Sequence, residues 1–180
     1  MTPSPPTDVA LRLATPADVR SLAVLGTQVF LDTYAPRGIR PSMADEVLEY
    51  FSLDAIAALL ARPAAAFLLA ESAGHLIGFA QLQRGARPPR GDFEDAVELE
   101  RLYVQERATG RGVGRRLLQE AERWAGSGGA SMLWLTAWVG NLRALGFYAA
   151  QGYADVGQTF YDFQGELFEN RIFEKTFGRR

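Results

Sequence analysis

Short stretches of the chain alternate apolar and polar residues, and longer stretches repeat apolar residues at helical spacing. The first alternating stretch, at 9–14, reads V-A-L-R-L-A and predicts a strand. Two further stretches, at 66–71 and 76–83, flank a turn with the sequence S-A-G-H and predict a hairpin. The remaining strands are predicted at 96–104, 131–137, 153–160 and 167–177.

Capping residues and apolar spacing predict the helices. Thr15 is followed by Pro16 and, three residues on, by Asp18, which is typical of a helix start; Pro36 ends this helix. A second helix is predicted from Ser42 to 51 and a further helical turn at 52–61. Later helices are predicted at 112–125 and 141–151, the last with Gly152 as its left-handed stop. The order β-α-α-β-β-β-α-β-α-β-β predicts an α/β (α+β) fold with a mixed sheet and helices on its faces.

Composition narrows the class of protein. A chain of 180 residues fits one domain, expected at 9–178, behind a proline-rich, disordered lead-in at 1–8. The formal net charge of −2 gives no overall basic field for nucleic acid. The absence of cysteine excludes disulfides and a thiol nucleophile. No secretory signal or membrane span is predicted, so we expect a cytoplasmic protein with no membrane partner.

The densest chemical pattern lies between Leu102 and Arg116, where an extended apolar segment leads into a loop and then a helix. Glycines occupy positions 110, 112 and 114, and arginines 111, 115 and 116. The first turn of a helix has free N–H groups at the positive end of its dipole, and glycine lets an anion approach them. This pattern predicts an anion site, suited to a diphosphate.

Other phosphate-binding motifs fit this segment less well. The P-loop needs Gly-Lys-Ser/Thr, which is absent, and the dinucleotide fingerprint does not match glycines that alternate. A flexible loop ahead of an amphipathic helix remains the alternative interpretation of the glycines.

Two motifs resemble those of the GCN5-related N-acetyltransferase (GNAT) family. The family's cofactor signature, Gln/Arg-x-x-Gly-x-Gly/Ala, is matched by R-A-T-G-R-G at 107–112. A second family motif is matched about 30 residues further on, with Tyr for Phe at its last position. Its matching positions are Asn141, Ala144, Phe147, Tyr148, Gly152 and Tyr153. The segment Asp32–Tyr34 resembles that of the polyamine-acetyltransferase-like branch.

This resemblance implies a fold and a cofactor. The expected fold is a mixed sheet of about seven strands that splays between the fourth and fifth, and the expected cofactor is acetyl-CoA. Backbone groups of the fourth strand are expected to pair with the pantetheine arm, and amides of the following loop to bind the pyrophosphate. The implied cofactor-binding residues are Leu102, Tyr103, Val104, Arg107, Gly110, Arg111, Gly112, Val113, Gly114, Arg115, Asn141, Ala144, Phe147 and Tyr148.

The resemblance also implies catalytic residues. Tyr148 is expected to protonate the leaving thiolate as a general acid; a core aromatic with a surfaced hydroxyl is the alternative. Glu98 or Glu100 is expected to collect the proton of the attacking amine, unless each only pairs with a surface arginine. With no cysteine and no G-x-S-x-G motif, transfer is expected to be direct.

The acceptor is expected to be a small-molecule amine bound near Phe30, Asp32 and Tyr34, with Glu46 as a further candidate. A protein acetyltransferase and a non-catalytic acyl-CoA-binding module are the alternatives, and a homodimer is expected by resemblance. The single histidine, His75, is predicted to be solvated in a turn. No cluster of histidine or cysteine predicts a metal site.

Overall fold

The computed structural model describes residues 8–91, 93–163 and 165–178, so the predicted lead-in lies, apart from Asp8, outside the described residues. The helices are α1 (Val19–Tyr34), α2 (Pro41–Tyr50), α3 (Leu53–Leu60), α4 (Val113–Ser127) and α5 (Leu142–Ala150). The strands are β1 (Ala10–Leu13), β2 (Ala65–Ser72), β3 (His75–Arg84), β4 (Ala96–Val104), β5 (Met132–Trp138), β6 (Ala154–Phe163) and β7 (Glu166–Thr176).

The strands of the described residues form a seven-stranded sheet in the order β1-β2-β3-β4-β5-β7-β6. Strands β4 and β5 are parallel, whereas β1–β2, β5–β7 and β6–β7 are antiparallel. The mixed α/β fold that the sequence predicts is confirmed.

The ladder between β4 and β5 is short. It runs from the pair Ala96–Met132 to the pair Glu98–Trp134, while β4 continues to Val104 and β5 to Trp138. The predicted splay between the fourth and fifth strands is therefore present, and it begins one residue after Glu98.

The chain divides into two compact units. The first unit comprises the chain up to Gln81 together with Arg101–Ala121, and the second comprises Leu82–Glu100 together with the chain from Glu122 onward. The expectation of a single domain at 9–178 stays a prediction.

The core of the first unit packs α1, α2 and α3 on one face of β2 and β3. Its buried members are Leu22, Ala23, Leu25, Val29, Val47, Phe51, Ile56, Phe67, Leu69 and Phe79. Tyr103, from β4, packs against this cluster. The second unit has a smaller cluster of Ala96, Met132 and Trp134, whose indole Nε1 donates a hydrogen bond of 3.0 Å to the Ala86 carbonyl.

Local capping explains the helix boundaries. The Asp18 carboxylate accepts hydrogen bonds from the Thr15 amide (2.8 Å) and hydroxyl (3.0 Å), as the sequence predicts, although a 3-10 turn at Pro16–Asp18 precedes α1. The predicted turn at 52–61 is a helix in its own right, because the Ser52 hydroxyl accepts from the Ala55 amide at 3.1 Å. Three helices therefore lie between β1 and β2, where the predicted order had two.

Candidate active site

The loop between β4 and α4 is anchored at two points and exposed between them. Ala108, at the end of a 3-10 turn, and Val113, at the start of α4, are 3% and 1% exposed. Between them, Gly110 and Gly112 have φ angles of 71° and 80°, in the left-handed region that favours glycine. A Cβ atom at either position would meet nothing within 4 Å. Backbone conformation, not crowding, requires these glycines, and they leave the face of the loop open.

The N-terminus of α4 offers unpaired amides. The first backbone bond at this end of the helix runs from the Arg116 amide to the Gly112 carbonyl, at 3.0 Å. Within the part of the chain that the structure describes, the amides of Val113, Gly114 and Arg115 donate to no backbone acceptor. The loop and first-turn arginines at 107, 111, 115 and 116 are all exposed. We call residues 110–115 the amide cradle; its free donors, dipole and open glycines fit a diphosphate.

Strand β4 leads directly into this loop. Gly78 in β3 lies close to it: a Cβ there would approach the Tyr103 carbonyl oxygen to 2.8 Å. Gly78 therefore permits the tight packing of β3 on β4. Because the ladder with β5 has ended at Glu98, the outer edge of β4 from Leu102 to Val104 has the geometry to pair with an extended amide-bearing arm.

Glu98 and Glu100 lie in the β4 part of the second unit. Glu98 is half-buried, and its burial, with a smaller contribution from the Glu100 charge, raises the pKa of Glu98 to about 7. A carboxyl group with this pKa exchanges a proton readily near neutral pH. Glu100 is half-buried as well, so it is the raised pKa of Glu98 that bears on the choice the sequence left open.

Tyr148 is 8% exposed on α5. Its ring centroid lies 5.2 Å from that of Phe147, 5.9 Å from that of Tyr153 and 5.8 Å from that of Phe173. These contacts fix the ring. The core-aromatic interpretation therefore describes the ring correctly, and the role of the hydroxyl stays a prediction.

Asn141 caps α5, a role that the sequence interpretation missed. Its side-chain oxygen accepts a hydrogen bond of 3.1 Å from the Ala144 amide, and its backbone amide donates to the Trp138 carbonyl at 2.9 Å. The preference of asparagine for the N-cap position gave the missing clue. With the oxygen engaged, the side-chain NH₂ is the group with which Asn141 would bind a ligand.

The predicted acceptor residues on α1 fall into two sets. The rings of Phe30 and Tyr34 lie one helical turn apart with centroids 4.8 Å from each other, and Phe51 lies 6.0 Å from Phe30. Burial raises the pKa of Tyr34, with the Arg101 charge opposing and the Glu46 charge adding to the shift. Asp32 is exposed and lies about 200° around the helix from Phe30, so the structure does not bring it to these rings.

Arg101 joins the same part of the first unit, and the sequence interpretation did not single it out. Its guanidinium Nη1 donates to the side-chain oxygen of Gln81, which is 1% exposed. The guanidinium carbon lies 5.3 Å from the Phe51 ring centroid and 6.0 Å from that of Tyr50. The sequence did contain a signal for Arg101. It is an arginine on a strand face that is otherwise apolar, between Leu99 and Tyr103.

Three further findings concern other parts of the chain that the structure describes. His75 is exposed, at the first position of β3 after the turn. Among the described residues, no three histidine, cysteine or acidic side chains are grouped so as to hold a metal ion. Nor does any described helix have the length and apolar character to cross a bilayer.

Residues 31–153 match the model of the acetyltransferase (GNAT) family. The chain belongs to this family. It is 31% identical over 141 residues to an uncharacterised N-acetyltransferase of Mycobacterium tuberculosis strain H37Rv, covering 76% of this chain and 83% of the relative. It is 25% identical over 135 residues to an uncharacterised N-acetyltransferase of Lactobacillus delbrueckii subsp. lactis, with 75% and 78% of the two chains covered.

The fold is also that of solved GNAT structures. The PaiA N-acetyltransferase of Thermoplasma acidophilum, crystallised in complex with coenzyme A, superposes with a TM-score of 0.75. The match covers 95% of this chain and all of that one at 24% identity, a likeness that shows the fold. As a GNAT protein the chain is an acyltransferase, and acetyl-CoA is the co-substrate of its family. The amide cradle fits that co-substrate's diphosphate.

Proposed function

We propose that this GNAT protein transfers the acetyl group of acetyl-CoA to a primary amine of a small molecule. The observation that carries the proposal is the amide cradle, where unpaired N–H groups of α4 follow two glycines with positive φ angles. The pyrophosphate binds to these amides, with the exposed arginines at 107, 111 and 115 adding positive charge. The pantetheine arm lies along Leu102–Val104 as an added strand.

The second family motif completes the proposed cofactor contacts. Asn141 donates its side-chain NH₂ to the pantetheine arm, and Ala144 and Phe147, on the same helix, are the proposed apolar contacts. Phe147 is half-buried, and its ring lies against that of Tyr148. The two apolar residues of this set, Ala144 and Phe147, both belong to α5. These residues belong to the second unit and the amide cradle to the first.

Proton transfer is assigned to two side chains. Acetyl-CoA supplies the acetyl group as an activated thioester. An ammonium with a pKa near 10 is about one part in a thousand free base at pH 7, so a base accelerates the reaction. The Glu98 carboxylate takes one proton from the bound ammonium, and the neutral amine nitrogen then bonds to the carbonyl carbon and releases its second proton to water. Tyr148 donates its hydroxyl proton to sulfur as the carbon–sulfur bond breaks.

Of the predicted acceptor residues, Phe30 and Tyr34 form a common aromatic surface, and we retain Asp32 as a peripheral contact. A single domain over 9–178, a cytoplasmic location and a homodimer complete the proposal. The absence of cysteine fits a reducing compartment.

Coenzyme A binding and turnover test the proposal separately. A ligand at about 100 times its dissociation constant adds roughly 2.7 kcal/mol to stability. At roughly 2–4 °C per kcal/mol, the melting temperature is expected to rise by about 5–11 °C with coenzyme A. Release of free thiol from acetyl-CoA is then followed with a panel of small amines and, in parallel, with lysine-containing peptides.

The outcomes separate the candidate functions. Turnover with small amines supports the proposal, whereas turnover confined to peptides replaces it with a protein acetyltransferase. A melting shift with no turnover on any amine identifies a binding module. If coenzyme A does not raise the melting temperature, the assignment of the amide cradle is contradicted.

A further inference from the structure

Thr136 is an exposed side chain within an otherwise covered strand. In β5, residues 132–135 and Ala137 are buried and Trp138 is half-buried, whereas Thr136 is exposed. The strand is not at an edge of the sheet, because β4 lies on one side of it and β7 on the other. The ladder with β4 ends at Trp134, so Thr136, two residues further on, has its register partner in β7 and lies where the splay begins.

Thr136 shares a sheet face with Glu98, and both belong to the second unit. Glu98 is the register partner of Trp134, so the side chains of these two residues leave the sheet on the same side. Side chains two residues apart on a strand also share a side, which adds Thr136 to that face. With a rise of about 3.3 Å per residue and a strand spacing of about 4.8 Å, the Cα atoms of Glu98 and Thr136 are about 8 Å apart. One ammonium nitrogen, at about 2.9 Å from an oxygen of each side chain, can bridge the two residues.

The tryptophans on either side of Thr136 are anchored by other contacts. The Trp134 indole donates its hydrogen bond of 3.0 Å to the Ala86 carbonyl. The Trp138 indole lies on the turn after β5, because a Cβ atom at Gly140 would collide with its six-membered ring. Neither indole covers Thr136, which remains exposed between them. Its hydroxyl is therefore a polar group accessible to a ligand on an aromatic surface.

A neutral hydrogen-bond acceptor suits this position beside Glu98. The Glu100 charge already contributes to the raised pKa of Glu98, and a further carboxylate nearby would raise that pKa again. A hydroxyl accepts a hydrogen bond from an ammonium without adding negative charge, and it can rotate to stay bonded when the nitrogen loses a proton. Threonine is also a common residue of strands, as at Thr159 in the edge strand β6. Thr136 differs from Thr159 because it lies diagonally beside the proposed base.

We propose that Thr136 binds the acceptor: its hydroxyl oxygen accepts a hydrogen bond from the substrate ammonium and so holds the nitrogen beside the Glu98 carboxylate. This inference rests on the proposed acetyl transfer to an amine, with Glu98 as the base. Of the three N–H groups of a primary ammonium, one gives its proton to Glu98 and a second is bound by Thr136. The neutral nitrogen stays bound to Thr136 while it attacks the carbonyl carbon, and it then releases its second proton to water.

Removal of the hydroxyl alone tests the proposal. Thr136→Val keeps the shape and the strand propensity of threonine, and Thr136→Ser keeps the hydroxyl. Thr159→Val is the matched control, because Thr159 is on the same sheet face, two strands away from Thr136. For each variant, kcat and KM are measured by thiol release with ethylamine, putrescine and tyramine, and the dissociation constant of coenzyme A is measured by calorimetry.

Thr136→Val is expected to lower kcat/KM by about 10- to 100-fold for each amine that wild type acetylates, because a hydrogen bond to a charged group is lost. Thr136→Ser should retain most of the activity, and Thr159→Val should match wild type. All three variants should bind coenzyme A with the wild-type dissociation constant, which shows that they are folded. In the double variant of Thr136→Val with Glu98→Gln, the loss should be smaller than the product of the two single losses, because both side chains act on one nitrogen.

The contrary outcomes are distinguishable. Wild-type kcat/KM in Thr136→Val would show that the hydroxyl does not contact the acceptor, and acetyl transfer would stand. Equal losses in Thr136→Val and Thr136→Ser, or a matching loss in Thr159→Val, would assign Thr136 to strand packing. A double variant whose loss equals the product of the single losses would separate Thr136 from Glu98. If wild type acetylates no amine while coenzyme A still binds, the proposed function itself fails, and this inference fails with it.

Discussion

The hydroxyl of Tyr153 donates a hydrogen bond of 3.1 Å to the Glu122 carboxylate. The same carboxylate oxygen accepts from Lys175 at 2.8 Å, and Lys175 also donates to the Gln151 carbonyl at 3.1 Å. The Tyr153 ring, 4% exposed, lies against that of Tyr148 at 5.9 Å. This network ties α4 and β7 to the turn after α5, and it supports the ring that carries the proposed acid.

Replacing Tyr153 with phenylalanine tests whether the network is structural. The ring contacts remain, but the Glu122 carboxylate loses one donor, which costs about 1 kcal/mol. We expect the melting temperature to fall by roughly 2–4 °C and kcat to stay within about twofold of wild type. Calorimetry and thiol-release kinetics check the two expectations. A large loss of kcat with unchanged stability would assign the Tyr153 hydroxyl to catalysis instead.

Removing the Tyr148 hydroxyl tests the proposed general acid. Such groups contribute about 10²–10⁴-fold, so Tyr148→Phe is expected to lower kcat by at least about 100-fold. The dissociation constant of coenzyme A, measured by calorimetry, should change little because the ring is retained. Tyr153→Phe is the matched control, a hydroxyl removed from the adjacent ring. If Tyr148→Phe turned over at the wild-type rate, the hydroxyl would have no role in proton transfer.

The pH dependence of kcat/KM tests Glu98 as the base. Its pKa is raised to about 7, so the carboxylate form is lost as the pH falls through 7. With an ammonium substrate, kcat/KM should rise about tenfold per pH unit below 7 and level off between 7 and the amine pKa. Glu98→Gln should lose the break near pH 7 and be slower by about 10- to 100-fold above it. A wild-type profile with no break there would remove Glu98 from the mechanism.

The raised pKa of Glu98 should also make the free energy of unfolding depend on pH. Between pH 4.5 and about 7 the folded protein keeps a proton on Glu98 that the unfolded chain has released. Raising the pH through this window therefore lowers the free energy of unfolding. Glu98→Gln lacks this loss, so its stability relative to wild type should increase by about 1–2 kcal/mol from pH 4.5 to 8, after allowance for partial solvation. Urea unfolding at several pH values measures the difference, and a pH-independent difference would contradict the raised pKa.

Alanine variants of two glycines, one inside the amide cradle and one outside it, distinguish an effect on backbone conformation from an effect on coenzyme A binding. Gly112 and Gly129 have φ angles of 80° and 83°, and a Cβ at either would meet nothing within 4 Å. Alanine at either position should therefore cost about 1 kcal/mol of stability. Only Gly112→Ala should weaken coenzyme A, by about tenfold or more, because its Cβ enters the amide cradle. Equal affinities of both variants for coenzyme A, measured by calorimetry, would place the diphosphate elsewhere.

The sequence predicted most of the fold because its signals are local. The helix starts near Thr15 and Ser52, the turn at Gly74 and the left-handed stop at Gly152, with φ of 83°, each depend on a few consecutive residues, and each is found in the structure. The ends of the elements were predicted less well. Strand β6 continues to Phe163 and β7 begins at Glu166, because pairing across their hairpin lengthens both strands.

Spacing along single segments was enough to predict the family, the cofactor signature and the glycines of the amide cradle. Tertiary structure decided which charges are buried and what surrounds them. Glu98 and Glu100 are equivalent by alternation, and only packing raises the pKa of Glu98. Arg101 is one arginine among many in the sequence; only the folding of β3 and α2 around it supplies Gln81 and Phe51. Desolvation depends on neighbours that are distant along the chain, and the order of residues does not encode it locally.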